Sequence, residues 1–153
     1  PRYWLDAICP TFHGRDIFSP VAAYVAQGVP LADMGEEIDN PVRLDAPPVQ
    51  KTPTSLLGEI RYIDHFGNLI SNIESSLFED WLRQAHAAKQ DVSIFVEGIT
   101  IQGISNTYSD KDVGNPVAVF DGYGRLEVAF RNGNAQQMTN GKIHSSIRLT
   151  INT

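Results

Sequence analysis

The sequence of 153 residues predicts a mainly β C-terminal domain, a small barrel or sandwich with one helix, preceded by a short N-terminal piece of different character. Short segments rich in Val, Ile and Leu, separated by glycine turns, fill the last hundred residues. One amphipathic helix stands among them. Pro41, Pro47, Pro48 and Pro53 crowd the junction with what comes before. Proline fixes φ and lacks an amide donor, so neither a helix nor an interior strand runs through such a stretch.

Residues 1–40 carry one helix signal. Ser19-Pro20 reads as an N-cap and first helical position, Val21, Tyr24 and Val25 follow at helical spacing, and Gly28 sits where a C′ glycine ends a helix. A piece this small has too little surface to bury alone. With Pro1-Arg2-Tyr3-Trp4 in place of a starting Met, it reads as the end of a larger domain. Residues 41–54, where Asn40, Asp45, Lys51 and Thr52 alternate with the prolines, read as a linker.

Residues 55–153 form the β domain. Leu57–Asp64 and Asn68–Ile73 flank the tight connection His65-Phe66-Gly67. Ser76-Leu77-Phe78-Glu79 has the form of a capping box, and Leu77, Phe78, Trp81, Leu82 and Ala85 make the apolar stripe of the helix behind it. Val92–Val96, a Glu97-Gly98 turn and Ile99–Ile104 follow, then Val117–Phe120, a turn at Asp121–Gly124, and Leu126–Phe130. Arg131-Asn132-Gly133-Asn134-Ala135 reads as a plain turn. Ile143, Ile147, Leu149 and Ile151 alternate with polar positions across Lys142–Asn152, the last strand.

Composition excludes several function classes. Hydrophobic residues at 42% supply a core, so the chain is not disordered. A net charge of −6 lacks the basic footprint that a phosphate backbone requires, which argues against nucleic acid as a partner. No apolar run reaches the length of a membrane-spanning helix. Cys9 is the single cysteine, which excludes an internal disulfide and fits a reducing compartment such as the cytoplasm. The four histidines show no metal-ligand spacing, and His86 and His144 stand isolated.

Four segments could carry chemistry. Thr11-Phe12-His13-Gly14-Arg15-Asp16 groups an imidazole, a guanidinium and a carboxylate just ahead of a helix; the alternative is a loop in which Arg15 and Asp16 only bond backbone groups. Asp64 and Asn68 bracket a turn and can face one side, or can serve the turn alone. Tyr108 is the one aromatic of the polar loop Ser105–Asp110, either a packing anchor or a stacking platform. Asn132-Gly133 offers only turn backbone.

Taken together, ordered blocks of this sequence resemble the S-adenosyl-L-methionine hydroxide adenosyltransferases, relatives of the fluorinating and chlorinating enzymes that use the same substrate. The blocks are Thr11–Ala23, Gly58-Glu59-Ile60, Ile63–Ile73, Thr107–Asp110 and Phe120–Ala129. The resemblance implies hydrolysis of S-adenosyl-L-methionine to adenosine and L-methionine by attack of water or hydroxide on ribose C5′. It makes His13 the group that orients or deprotonates the water, and His13-Gly14, where the halogenating relatives carry a Tyr-Ser pair, favours the hydrolase branch over a halide-using adenosyl transferase. By the same resemblance Asp64 binds the methionine ammonium, Asn68 reads the adenine edge, Tyr108 stacks on the base, and backbone at Asn132 and Gly133 gives a second adenine contact. Gly122 and Tyr123 fall where relatives hold the methionine carboxylate, with Gly122 in the place of a frequent serine. Arg15 and Asp16 support the loop. The resemblance further implies that residues 1–40 are the tail of an α/β N-terminal domain whose aspartate and arginine complete the catalytic set. It implies no metal and no cofactor beyond the substrate, and a cytoplasmic homotrimer with its site at a subunit interface. A non-catalytic adenosyl-binding module is the reading from another class.

Overall fold

The computed structural model describes residues 2–42 and 47–152; the expectations placed on Pro1 and Asp45 lie outside the described residues. The chain divides into two units, Pro1–Leu44 and Asp45–Thr153.

In the first unit a π-helical turn, Gly14–Phe18, runs directly into α1, Ser19–Ala26. Ser19 is therefore not the N-cap that Ser19-Pro20 suggests. Its amide N–H and its hydroxyl both donate to the Gly14 carbonyl five residues back, the hydroxyl at 2.7 Å, which closes the wide turn. Gly28 takes φ +90° just past the helix, where a side chain would be strained. Asp16 is the one buried residue among those described in this unit.

The second unit is an antiparallel sheet that nearly closes into a barrel. The strands are β1 Gln50–Lys51, β2 Ser55–Ile63, β3 Leu69–Glu74, β4 Val92–Val96, β5 Ile99–Gln102, β6 Pro116–Phe120, β7 Arg125–Phe130 and β8 Ser146–Ile151. Their order is β5-β4-β8-β2-β3-β7-β6, with β1 paired to β2. Past β5, the Ser105 N–H donates to the Ala118 carbonyl of β6 at 2.8 Å, drawing the two ends of the sheet together. Register shifts between Ile60 and Tyr62 in β2 and between Ile70 and Glu74 in β3 bend the strands, as a small barrel requires. Leu56, Ile60, Leu69, Ile73, Leu126, Val128, Ile147 and Leu149 fill the interior, all fully buried.

Helix α2, Ser75–Ala85, buries Phe78, Trp81 and Leu82 against this core, the stripe expected from the sequence. Phe78 stands 5.2 Å from the Phe120 ring, and Trp81 Nε1 donates to the Thr52 carbonyl at 3.0 Å. The expected capping box at Ser76 does not form. Glu74 is the N-cap, because the Ser75 N–H already finds the Gly124 carbonyl of the β6–β7 turn at 2.8 Å, and the helix starts two residues earlier. A second helix, α3 Ala135–Thr139, follows the turn after β7, with the Asn134 side chain accepting from the Gln137 N–H. Strand β8 begins only at Ser146. Lys142–Ser145 forms a turn ahead of it, with the Ser145 N–H donating to the Lys142 carbonyl and the Ser145 hydroxyl accepting from the Lys142 N–H. Ile143 is consequently exposed rather than part of the strand.

Candidate active site

The β2–β3 connection is built by its own polar side chains. Asp64 Oδ1 accepts from the Phe66 N–H at 2.9 Å and from the Asn68 N–H at 2.8 Å, an arrangement that folds the chain back within four residues. The Asn68 side-chain amide donates to Asp64 Oδ2 at 3.0 Å. Asp64 thus serves the turn and also fixes which way the Asn68 amide points. Its amide oxygen bonds nothing among the described residues. Gly67 takes φ +84°, and the space where a side chain would stand is filled by the Asn134 side chain. The Gly67 carbonyl accepts from the Gln136 N–H at 2.8 Å, which docks the hairpin on the start of α3.

Tyr108 stands on a loop held at both ends. Asp110 accepts from the Asn106 and Thr107 N–H groups and from the Thr107 hydroxyl; these bonds hold its carboxyl below the usual range. Arg131 donates to the Lys111 carbonyl at 2.7 Å on the far side. The Tyr108 hydroxyl donates to Glu127 Oε1 at 2.6 Å. Glu127 is only 4% exposed. Burial raises its pKa most, and the negative charges of Asp64 and Asp121 raise it further, against the lowering effect of the Tyr108 hydrogen bond. Burial, then the bond to Glu127, also pushes the Tyr108 phenol up.

A cavity of about 400 Å³ runs along β2, β3 and β7. Asp64 and Ile70 wall it from the hairpin side, Gly122 and Tyr123 from the β6–β7 turn, and Glu127 from between them. Arg61 and Arg125 add positive charge to the same wall. Asp121 Oδ1 accepts from the Tyr123 and Arg125 N–H groups at 2.8 and 2.9 Å, so the turn that presents Gly122 and Tyr123 is fixed like the hairpin opposite. Gly122 brings only backbone to this surface, and Tyr123 is almost fully exposed.

Of the residues singled out from the sequence, Asp64, Gly122 and Tyr123 line this cavity directly. Asn68 is tied to it through Asp64, and Tyr108 through Glu127. Asn132 adopts a left-handed conformation, φ +54°, and Gly133 closes the turn by donating to the Phe130 carbonyl at 3.0 Å. Both are exposed, and the next residue, Asn134, meets Gly67 of the hairpin. His13 belongs to the first unit, exposed at the start of the π-helical turn, and its ring makes no hydrogen bond among the described residues. Asp16 organises that loop. It accepts from the Cys9 N–H at 2.8 Å and receives both Nε and Nη2 of Arg15, which with the backbone bond lowers its pKa to about 2. Arg15 and Asp16 are therefore engaged with the loop itself.

Sequence reasoning passed over Glu127, Arg125 and Asn134. Glu127 left one signal, a lone carboxylate in the otherwise apolar run Leu126–Phe130. Alternation alone would send it to solvent. It is buried instead, with the Tyr108 hydroxyl of the 105–115 loop bonded to it. His144, isolated in sequence, has a partner in space. Its Nδ1 lies 3.1 Å from Glu59 Oε1, to which Arg61 also donates.

The family model described as "SAM hydroxide adenosyltransferase C-terminal domain" matches residues 58–148. The (R)-S-adenosyl-L-methionine hydrolase of Salinispora tropica is 33% identical over 152 residues, 97% of this chain and 54% of its own length. The protein of the same name from Thermus thermophilus is 33% identical over 144 residues, 91% of this chain and 49% of its own. The chain thus spans about half the length of the curated relatives it matches. Among solved structures, an uncharacterized conserved protein from Thermotoga maritima superposes with a TM-score of 0.68 at 28% identity, covering 97% of this chain and 56% of that one. A conserved hypothetical protein from Thermus thermophilus gives 0.59 at 29% identity, over 90% and 52%. The matched segment contains the hairpin and the β6–β7 turn that wall the cavity and the loop that carries Tyr108, and this chain belongs to the S-adenosyl-L-methionine hydroxide adenosyltransferase family through its C-terminal domain.

Proposed function

We propose that the full-length protein hydrolyses (R)-S-adenosyl-L-methionine to adenosine and L-methionine, and that the second unit described here binds the adenine and methionine ends. Water or hydroxide attacks C5′; the C5′–O bond forms as the C5′–S bond breaks, the electron pair leaves on sulfur, and one proton is released. The leaving group is a neutral thioether and needs no general acid. What the reaction needs is an oriented, partly desolvated nucleophile. His13 is assigned to that water, as the group that orients it or takes its proton.

The observation that carries this reading is the cavity that unites Asp64 with the β6–β7 turn and, through Glu127, with Tyr108. Asp64, in the cavity wall, is the proposed partner of the methionine ammonium, a charge-assisted contact. Asn68, its amide turned by Asp64, takes the adenine edge, and Tyr108 covers the base. Backbone at Asn132 and Gly133 is the proposed second contact to adenine. With Gly122 bringing no side chain, the methionine carboxylate falls to the N–H groups of the β6–β7 turn. The chemistry proposed calls on no metal or cofactor.

The (R) configuration at sulfur comes from the names of the relatives. A site that grips both the adenosine and the amino-acid ends would distinguish the two epimers, because inverting the sulfonium redirects one arm. The homotrimer with a site at the subunit interface and the cytoplasmic location are proposed on the family resemblance. No apolar side chain described in the first unit is buried, with Phe12 and Phe18 more than half exposed, which supports assembly with further protein surface. Among the described residues no helix is long and apolar enough to cross a membrane. The test is to offer each epimer separately to the full-length protein. Consumption of the (R) epimer with equal yields of adenosine and methionine is expected; consumption of the other epimer alone, or of neither, would refute the reading.

A further inference from the structure

A carboxylate on the covered face of a strand is costly unless something pairs with it. Glu127 shares that face of β7 with Ala129, which packs with Val117 and Val119 in a small apolar cluster. Its hydrogen-bond partner among the described residues is the hydroxyl of Tyr108, at 2.6 Å. Tyr108 itself is 45% exposed, and no other ring among the described residues packs against it. Two restraints hold the ring in place: the loop fixed by Asp110 and Arg131, and the tether from its hydroxyl to Glu127. One edge is anchored beside the cavity while much of the ring remains open to a flat ligand.

We propose that Glu127 is a positioning residue that holds the Tyr108 ring where it can cover the nucleoside base. The proposal rests on the assignment of Tyr108 to the base given above. Glu127 itself acts through Tyr108 and need not touch substrate. Asp64 from the hairpin and Asp121 from the β6–β7 turn place negative charge near it, and Arg125, on the same strand, adds positive charge to the cavity wall. Burial and these two carboxylates work against an ionised Glu127, and the hydrogen bond from the Tyr108 hydroxyl is what offsets them.

The test compares Glu127→Gln, Glu127→Leu, Tyr108→Phe and the Glu127→Leu/Tyr108→Phe double variant of the full-length protein. Adenosine and methionine binding are measured by calorimetry, and steady-state kinetics with S-adenosyl-L-methionine run alongside. Glu127→Leu and Tyr108→Phe should each weaken adenosine about tenfold, the upper end of the scale of one hydrogen bond. KM should rise with adenosine Kd while kcat and methionine affinity change by less than about twofold. The double variant should be no worse than either single one, since both remove the same tether. Glu127→Gln, which preserves shape and still offers an amide oxygen as acceptor, should recover most of the loss. Additive losses, equal loss of methionine and adenosine binding, or unchanged adenosine binding in both single variants would overturn the proposal for Glu127 alone. A wild-type protein that binds no adenosine would overturn it together with the assignment of Tyr108.

Discussion

His13→Ala in the full-length protein is expected to lower kcat by about 10²–10⁴-fold, the range for loss of a positioned acid–base group. Adenosine and methionine affinities should stay within about twofold, because the histidine is assigned to the water and not to either end of the substrate. The local structure favours a clean result. The His13 ring makes no hydrogen bond among the described residues, whereas the loop behind it is held by Asp16 through the Cys9 N–H and Arg15. The Asp16 carboxyl, lowered to about 2, is ionised throughout the neutral range. The stability it contributes is present above its ordinary value of 3.8 and is lost only as the pH falls towards 2, so a kinetic pH profile near neutrality does not report this loop coming apart. Parallel loss of binding and turnover in His13→Ala would make the histidine structural.

Asp64 substitutions should have the second largest effect, and here the structure couples two ligand contacts. The carboxylate holds the Phe66 and Asn68 amides with one oxygen and the Asn68 side chain with the other. Asp64→Ala removes the charge and releases the hairpin together, so methionine, adenosine and substrate binding should all weaken, methionine most. Asp64→Asn separates the effects. Its amide oxygen can still accept from the two backbone N–H groups, but the charge is gone. Methionine affinity should then fall about 10–100-fold, as expected when a charge-assisted hydrogen bond is lost. Adenosine should lose only a few-fold, from the changed partner of the Asn68 amide. Equal losses for both ligands in Asp64→Asn, measured by calorimetry, would remove Asp64 from the ammonium role.

Much of the architecture is legible because its signals are local. The alternation of Ile147, Leu149 and Ile151, the stripe on α2 and the turn residues around Gly67 and Gly124 each encode their element within a few positions. The errors arise where a distant group changes a local outcome. Ser76 has a capping-box sequence, but the Gly124 carbonyl reaches the Ser75 N–H and moves the helix start. Ile143 fits the strand alternation, yet the Ser145 side chain folds the preceding residues into a turn. Helix α3 is short enough that its main signal is Asn134 with Gln137 three residues on, and inside a segment rich in Asn and Gly that reads as a turn.

The candidate site follows the same division. Asp64 and Asn68 stand out because they bracket a turn. Their mutual bond and the role of Asp64 in orienting the Asn68 amide need the folded hairpin to be seen. Tyr108 is visible as the lone aromatic in a polar loop. Glu127, bonded to Tyr108 in space but nineteen positions along the chain, is not, because only the folded sheet and loop bring the two together.

The most direct test of the proposed chemistry is turnover of (R)-S-adenosyl-L-methionine by the full-length protein in water enriched in ¹⁸O. Attack on C5′ places the label in the 5′-hydroxyl of adenosine, with an equal amount of unlabelled methionine. Adenosine formed without ¹⁸O, or a 5′-halogenated nucleoside accumulating when chloride is supplied, would contradict water as the nucleophile.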